Sequence, residues 1–167
     1  MEIVHLRFLT SFGLPAPNHA LINVYEPGEG IMAHEDGPAY TPFAVILSLG
    51  ASTVIDFVPK AQDEMRSAKV YLPVGSLLFF TDEAYTEMLH GIRFDRSDHI
   101  SNHVLNAHGI KRCGLSKLSN DLLIRGKRVS ITMRHVPLVY IMIFFSFPYK
   151  PLTFPNELLG ILAILSI

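Results

Sequence analysis

The sequence predicts a mainly β fold with few helices, an antiparallel sandwich or barrel, and three observations carry that expectation. Short runs rich in Val, Ile and Phe recur along the first half of the chain, each closed by Pro, Gly or Ser. No 3.6-residue apolar period is sustained up to about Asp82. The 167 residues are 49% hydrophobic and only 17% charged, enough apolar material for one compact domain.

Taken in order, Met1 to Pro17 makes a poor secretory signal, because Glu2 precedes any basic residue and His5 and Arg7 interrupt the apolar stretch. No targeting segment is expected there. Strands are predicted at Ala20 to Tyr25, Phe43 to Leu49, Thr53 to Val58, Lys69 to Leu72 and Ser76 to Phe80, with a turn at Glu26 to Gly30. A further strand is predicted over Thr86 to Ile92. The polar stretch Arg93 to Arg125, with its His, Asn and Ser, reads as a long surface insertion. Arg128 to Val136 alternates again as a strand. From Val136 to Ile167 the only full charges are Lys150 and Glu157, and Pro148, Lys150, Pro151 and Pro155 split this tail into two apolar runs. Each is shorter than the ~20 residues a spanning helix needs, so no stable membrane association is expected.

Charge excludes little and names no partner. With 14 Lys+Arg against 15 Asp+Glu the net charge is -1, so any nucleic-acid contact must come from a local patch or a pocket. Cys113 is the single cysteine and no Asn-x-Ser/Thr acceptor occurs, which points to a reducing, intracellular compartment, cytoplasm and/or nucleus.

The chemistry concentrates at His34-Glu35-Asp36. In an extended chain alternate side chains share a face, so His34 and Asp36 can converge while Glu35 points elsewhere. A second histidine would complete the two-His, one-carboxylate set that holds iron(II) and leaves coordination positions open. His90, in the strand-like run Thr86 to Ile92, is the expected third ligand, since a strand places a ligand more rigidly than a loop. Arg128 to Arg134 has period 2, putting Arg128, Ser130, Thr132 and Arg134 on one face and Val129, Ile131 and Met133 on the other. Two guanidinium groups and two hydroxyls suit a small dicarboxylate, with Arg128 as a planar fork for one carboxylate end. A half-buried strand with a solvated polar face gives the same pattern. Asn23 and Tyr25 also share a strand face and can hydrogen-bond a ligand oxygen.

The order of these motifs resembles a known family. Asn-x-Tyr at Asn23, then Pro-Gly-Glu-Gly-Ile-Met-Ala-His-Glu-Asp-Gly-Pro over Pro27 to Pro38, the distant His90, and Arg-x5-Arg from Arg128 to Arg134 are similar to the AlkB-like iron(II)/2-oxoglutarate dioxygenases. The wording of Tyr25 to Pro38, Ile46 to Gly50 and Arg128 to Pro137 is most like the AlkB homologue 6 branch. The resemblance implies a double-stranded β-helix core, jelly-roll and cupin-like. It implies iron(II) on His34, Asp36 and His90, and 2-oxoglutarate on Asn23, Tyr25 and Arg128, with Ser130 on the same face and Arg134 near the metal end. It also implies O2 as oxidant and an alkylated nucleic acid, DNA or RNA, as substrate of oxidative dealkylation. Only 22 residues precede Asn23, so a shortened N-terminus is expected. The domain is expected over residues 1–136, followed by an atypical apolar tail, 137–167. A non-catalytic protein that binds metal and 2-oxoglutarate on the same fold is the alternative.

Two other groups of residues invite a function. His99, His103, His108 and Cys113 could ligate zinc, but Asn102, Asn106 and Gly109 disfavour a helix and paired cysteines are absent, so no metal is expected there. From Lys111 to Arg134 seven basic residues (Lys111, Arg112, Lys117, Arg125, Lys127, Arg128 and Arg134) stand against Asp121 alone. They either receive phosphates or form a solvated loop plus the cosubstrate arginine, and no aromatic residue lies among them to stack a base.

Overall fold

A computed structural model describes residues 7–61, 67–101, 103–107 and 122–137. Helix α1 (Arg7–Ser11) leads into β1 (His19–Tyr25), β2 (Ile31–His34), β3 (Phe43–Leu49), β4 (Thr53–Pro59), β5 (Ala68–Leu72) and β6 (Leu77–Thr81). Helix α2 (Asp82–Thr86), β7 (Met88–Ile92), β8 (Ser97–His99), β9 (Leu122–Ile124) and β10 (Arg128–Arg134) complete the described order. One antiparallel sheet runs β1-β10-β3-β6, a second runs β2-β7-β4-β5, and β8 pairs with β9 apart from both. Two four-stranded sheets face to face, with the chain changing sheet at β1 to β2, β2 to β3, β3 to β4, β5 to β6 and β6 to β7, make the antiparallel sandwich that the sequence predicts and the jelly-roll that the resemblance implies.

The apolar period explains which strand sits where. Phe43–Leu49 is apolar on both faces and lies in the interior of its sheet, between β10 and β6. Ala44 and Ile46 turn inward to pack with Ile55, Phe57, Leu72, Phe80, Tyr85 and Ile92, the core between the sheets. Phe43 and Val45 turn outward and are covered by Leu9 of α1. Each aliphatic or aromatic side chain buried this way contributes on the order of 1.5–3 kcal/mol. Two pairs of aromatic rings, Phe57 with Phe80 at 5.3 Å and Phe80 with Tyr85 at 6.0 Å, stiffen the floor below the histidines.

Strand β10 reverses the usual pattern. Arg128, Ser130, Thr132 and Arg134 are its buried residues, whereas Val129, Ile131 and Met133 on the other face are only partly covered. A polar row sealed between two sheets is costly unless something there uses it. The period therefore locates a pocket, and the solvated-face alternative is excluded.

Three expectations need correction. Thr86 closes α2, so the strand predicted from it starts at Met88; Asp82 and Glu83 in the first turn favour that helix, which separates β6 from β7. The last strand ends at Arg134, short of Val136. The stretch from Arg93 to Arg125 is not all surface. Ile100, Val104 and Ala107 pack with Val54 and Tyr71, and Asp98 and Arg125 form a buried ion pair. Asp98 also accepts from the Val54 amide at 3.2 Å, which ties the β8–β9 hairpin to β4. His99 and His103 are exposed, while His108 and Cys113 lie outside the described residues, as do Lys111, Arg112 and Lys117 and the tail from residue 138. Among the described residues no helix is long and apolar enough to cross a membrane.

Candidate metal centre and cosubstrate pocket

Strands β2 and β7 pair so that His34 lies directly across from His90, after a register shift between Ile31 and His34 that adds one residue on β2. Side chains directly opposite on neighbouring strands meet, and the two imidazole rings stand 4.4 Å apart. Gly91 makes the approach possible: a Cβ there would sit 2.8 Å from the Ala33 amide nitrogen and 2.9 Å from the Ile31 carbonyl oxygen. Gly91→Ala is therefore expected to push β7 off β2, costing ~1–3 kcal/mol of stability and weakening divalent-metal binding more than an exposed alanine substitution does; thermal melts and metal titration read both effects.

Asp36 lies two residues past the end of β2 and completes the set. One ligand atom each from His34, Asp36 and His90 lies within 4.8 Å of the others, the one grouping of this kind among the described residues. His34 Nδ1 donates to the Met32 carbonyl oxygen at 2.8 Å, which fixes the tautomer and leaves the Nε2 lone pair for a ligand role. Asp36 Oδ1 accepts from Arg134, while Asp36 Oδ2 is buried without a hydrogen-bond partner among the described residues. The Tyr40 ring lies against the Arg134 guanidinium, 5.0 Å from centroid to Cζ.

Burial between Phe57 and Phe80 pushes the His90 imidazole down to about 4; the Asp36 charge opposes this, and His34 and Arg134 reinforce it. His90 is thus held neutral, with a lone pair to offer. The sign of the linkage follows: below about 6.5 the unfolded chain takes a proton that the folded site refuses. The metal-free protein is expected to lose stability as pH falls from 6.5 toward 4, by at most ~3 kcal/mol from this residue. Urea unfolding at pH 7 and pH 5 should show the loss in the wild type and a smaller one in His90→Gln.

The second part of the pocket is built on β1, β10 and β3. Register places Tyr25 beside Arg128 and Asn23 beside Ser130, with Ser48 of β3 on Ser130's other side. Arg128 Nη2 donates to Ser48 Oγ at 2.9 Å, and its Cζ stands 5.6 Å from the Tyr25 ring centroid. Arg128 Nε is buried and unpartnered among the described residues. Burial lowers the Arg128 pKa and raises that of Tyr25, although each group's effect on the other opposes its shift. A side-chain hydrogen bond with Asn23 also holds Tyr25 down. A buried cation whose only side-chain hydrogen-bond partner among the described residues is a neutral hydroxyl calls for an anion. Sequence reasoning missed Ser48 and Tyr40. Ser48 stands in the Ile46 to Gly50 run, but only the register of β3 against β10 brings it to Arg128.

Four residues of the basic stretch lie among the described residues. Arg125, Arg128 and Arg134 face inward, and Lys127, exposed, pairs with Glu26 at 2.6 Å.

A two-His, one-carboxylate centre beside a buried arginine defines a class, the non-haem iron(II) oxygenases. The family model of the 2OG-Fe(II) oxygenase superfamily matches residues 7–134, and the chain belongs to that superfamily. Its cofactors are iron(II), 2-oxoglutarate and O2, those expected above, and its AlkB-like members are the ones this chain is similar to. It is 38% identical over 139 residues to a Danio rerio protein described as "Probable RNA/DNA demethylase ALKBH6", covering 77% of this chain and 57% of that one. It is 36% identical over 121 residues to the "tRNA (carboxymethyluridine(34)-5-O)-methyltransferase ALKBH8" of Macaca fascicularis, covering 72% of this chain and 18% of that one. The chain thus spans little more than half the length of the first relative. A solved structure titled "The structure of OsALKBH1" overlays with a TM-score of 0.46 and 20% identity, over 73% of this chain and 49% of that chain.

Proposed function

We propose that this chain is an iron(II)- and 2-oxoglutarate-dependent dioxygenase that removes an N-alkyl group from a nucleobase in DNA or RNA by oxidation. His34, Asp36 and His90 hold the iron; Asn23, Tyr25 and Arg128, with Ser130 beside them, seat 2-oxoglutarate; Arg134 closes the metal end. The observation that carries the reading is the buried polar row of β10 running from Arg128 to Arg134, which ends on Asp36. Unpaired Asp36 Oδ2 and Arg128 Nε fit a cation and a carboxylate respectively.

Once bound, iron(II) supplies the oxidising chemistry with O2 and the keto acid, which leaves as succinate and carbon dioxide while the alkyl carbon gains a hydroxyl and departs as an aldehyde. The residues bind and orient. Arg128 offers two N–H groups to the distal carboxylate, and Ser48 keeps the guanidinium in plane. Arg134 fixes one oxygen of Asp36, and Tyr40 holds Arg134. The catalytic unit is residues 1–136, and 137–167 lies outside it. The nucleic-acid substrate and an intracellular site of action, cytoplasm and/or nucleus, extend the reading; the names of the relatives above and the lone cysteine support them. Succinate release measured with N-methylated and unmodified DNA and RNA oligonucleotides tests it. The reading expects iron-dependent release that a methylated oligonucleotide accelerates, with loss of the methyl group, and it fails if no methylated oligonucleotide has either effect.

A further inference from the structure

Tyr85 stands on α2, in the short helix that delivers the chain into β7, and no role above uses it. Its side chain is 9% exposed and packs against Phe80, whose ring lies 5.1 Å from that of His90. Its hydroxyl is buried and has no hydrogen-bond partner among the described residues. A buried orphan hydroxyl costs ~1–3 kcal/mol, so a core position would favour phenylalanine. The charged and titratable groups that act on this phenol are Asp36, Arg134, Tyr40 and Glu35, the metal side of the pocket. Burial first, and the Asp36 charge next, push it up to about 12, so the oxygen keeps its proton and remains a donor.

Asp36 supplies the matching deficiency. It follows β2 outside any ladder, so no backbone pairing fixes its carboxylate, and Arg134 holds only Oδ1. Oδ2 is buried without a partner among the described residues, as is Arg134 Nε. We propose that Tyr85 is a positioning residue of the metal centre: its O–H donates through one bridging water to Asp36 Oδ2 and sets the plane of the carboxylate. Oδ2 retains lone pairs for the ion, as ligating carboxylates that also accept hydrogen bonds do. The inference rests on His34, Asp36 and His90 being the ligands.

Cobalt(II) titration of the full metal-free chain, wild type against Tyr85→Phe, tests it through affinity, the visible absorption of the bound ion and the metal-induced rise in Tm. Phenylalanine keeps the ring and its packing. The metal-free variant is expected to melt no lower than wild type, because the hydroxyl it loses has no partner among the described residues. Its cobalt Kd should rise ~10- to 100-fold, with a shifted absorption band and a smaller rise in Tm. Wild-type Kd and band in the variant overturn the role of Tyr85. So does a lower metal-free Tm with an unchanged cobalt increment, which marks a packing residue only. Folded wild type that binds no cobalt overturns the ligand set itself, and the Tyr85 role with it.

Discussion

Asp36→Asn and His34→Ala are each expected to abolish iron-dependent succinate formation, a loss of at least ~100-fold, while the protein stays folded. Removal of a ligand that touches the ion should exceed the 10- to 100-fold typical of outer-shell partners. Asparagine preserves the shape of Asp36 but withdraws the charge that pairs with buried Arg134, so a drop in Tm accompanies it. His34 is only half-buried and its replacement spares the core, which makes it the cleaner probe. Full activity in either variant, measured by succinate release with chelator-treated protein and added iron(II), contradicts the ligand assignment.

The second large effect belongs to Arg128. Arg128→Ala should raise the Kd for 2-oxoglutarate on the order of 100-fold, the ~3 kcal/mol lost when one partner of a buried charge-assisted pair is removed. Arg128→Lys should recover little. An ammonium on a flexible stem cannot reproduce the planar fork that Ser48 and Tyr25 hold in place. Isothermal titration with iron present reads the affinity, and the metal Kd should stay near wild type because Arg128 is not part of the triad. A 2-oxoglutarate Kd that is unchanged in Arg128→Ala removes the cosubstrate assignment and leaves the metal centre standing.

Much of the site is legible in the chain because strands carry a period of two. Spacing alone obliges Arg128, Ser130, Thr132 and Arg134 to share a face and allows His34 and Asp36 to converge. Which face of β10 is inside is not legible, since polar alternation reads the same for a solvated row and a buried one. The fold buries it. Nor can the period reveal pairings across the fold. Ser48 meets Arg128 only through the β3–β10 register, and Tyr85 sits on α2, a short helix between two predicted strands that no period of two reveals. Asp98 and Arg125 escape for a similar reason: neither charge signals burial locally, and both are buried through β8 pairing with β9 more than 20 residues away.

Anaerobic titration of the full chain with iron(II) and 2-oxoglutarate, followed by visible absorption, bears on the metal and the cosubstrate at once. The expected result is a charge-transfer band that requires both additions, saturates at one keto acid per chain, and is absent from His34→Ala. Folded wild-type protein that gives no such band at saturating concentrations of both would contradict the shared site of iron and keto acid.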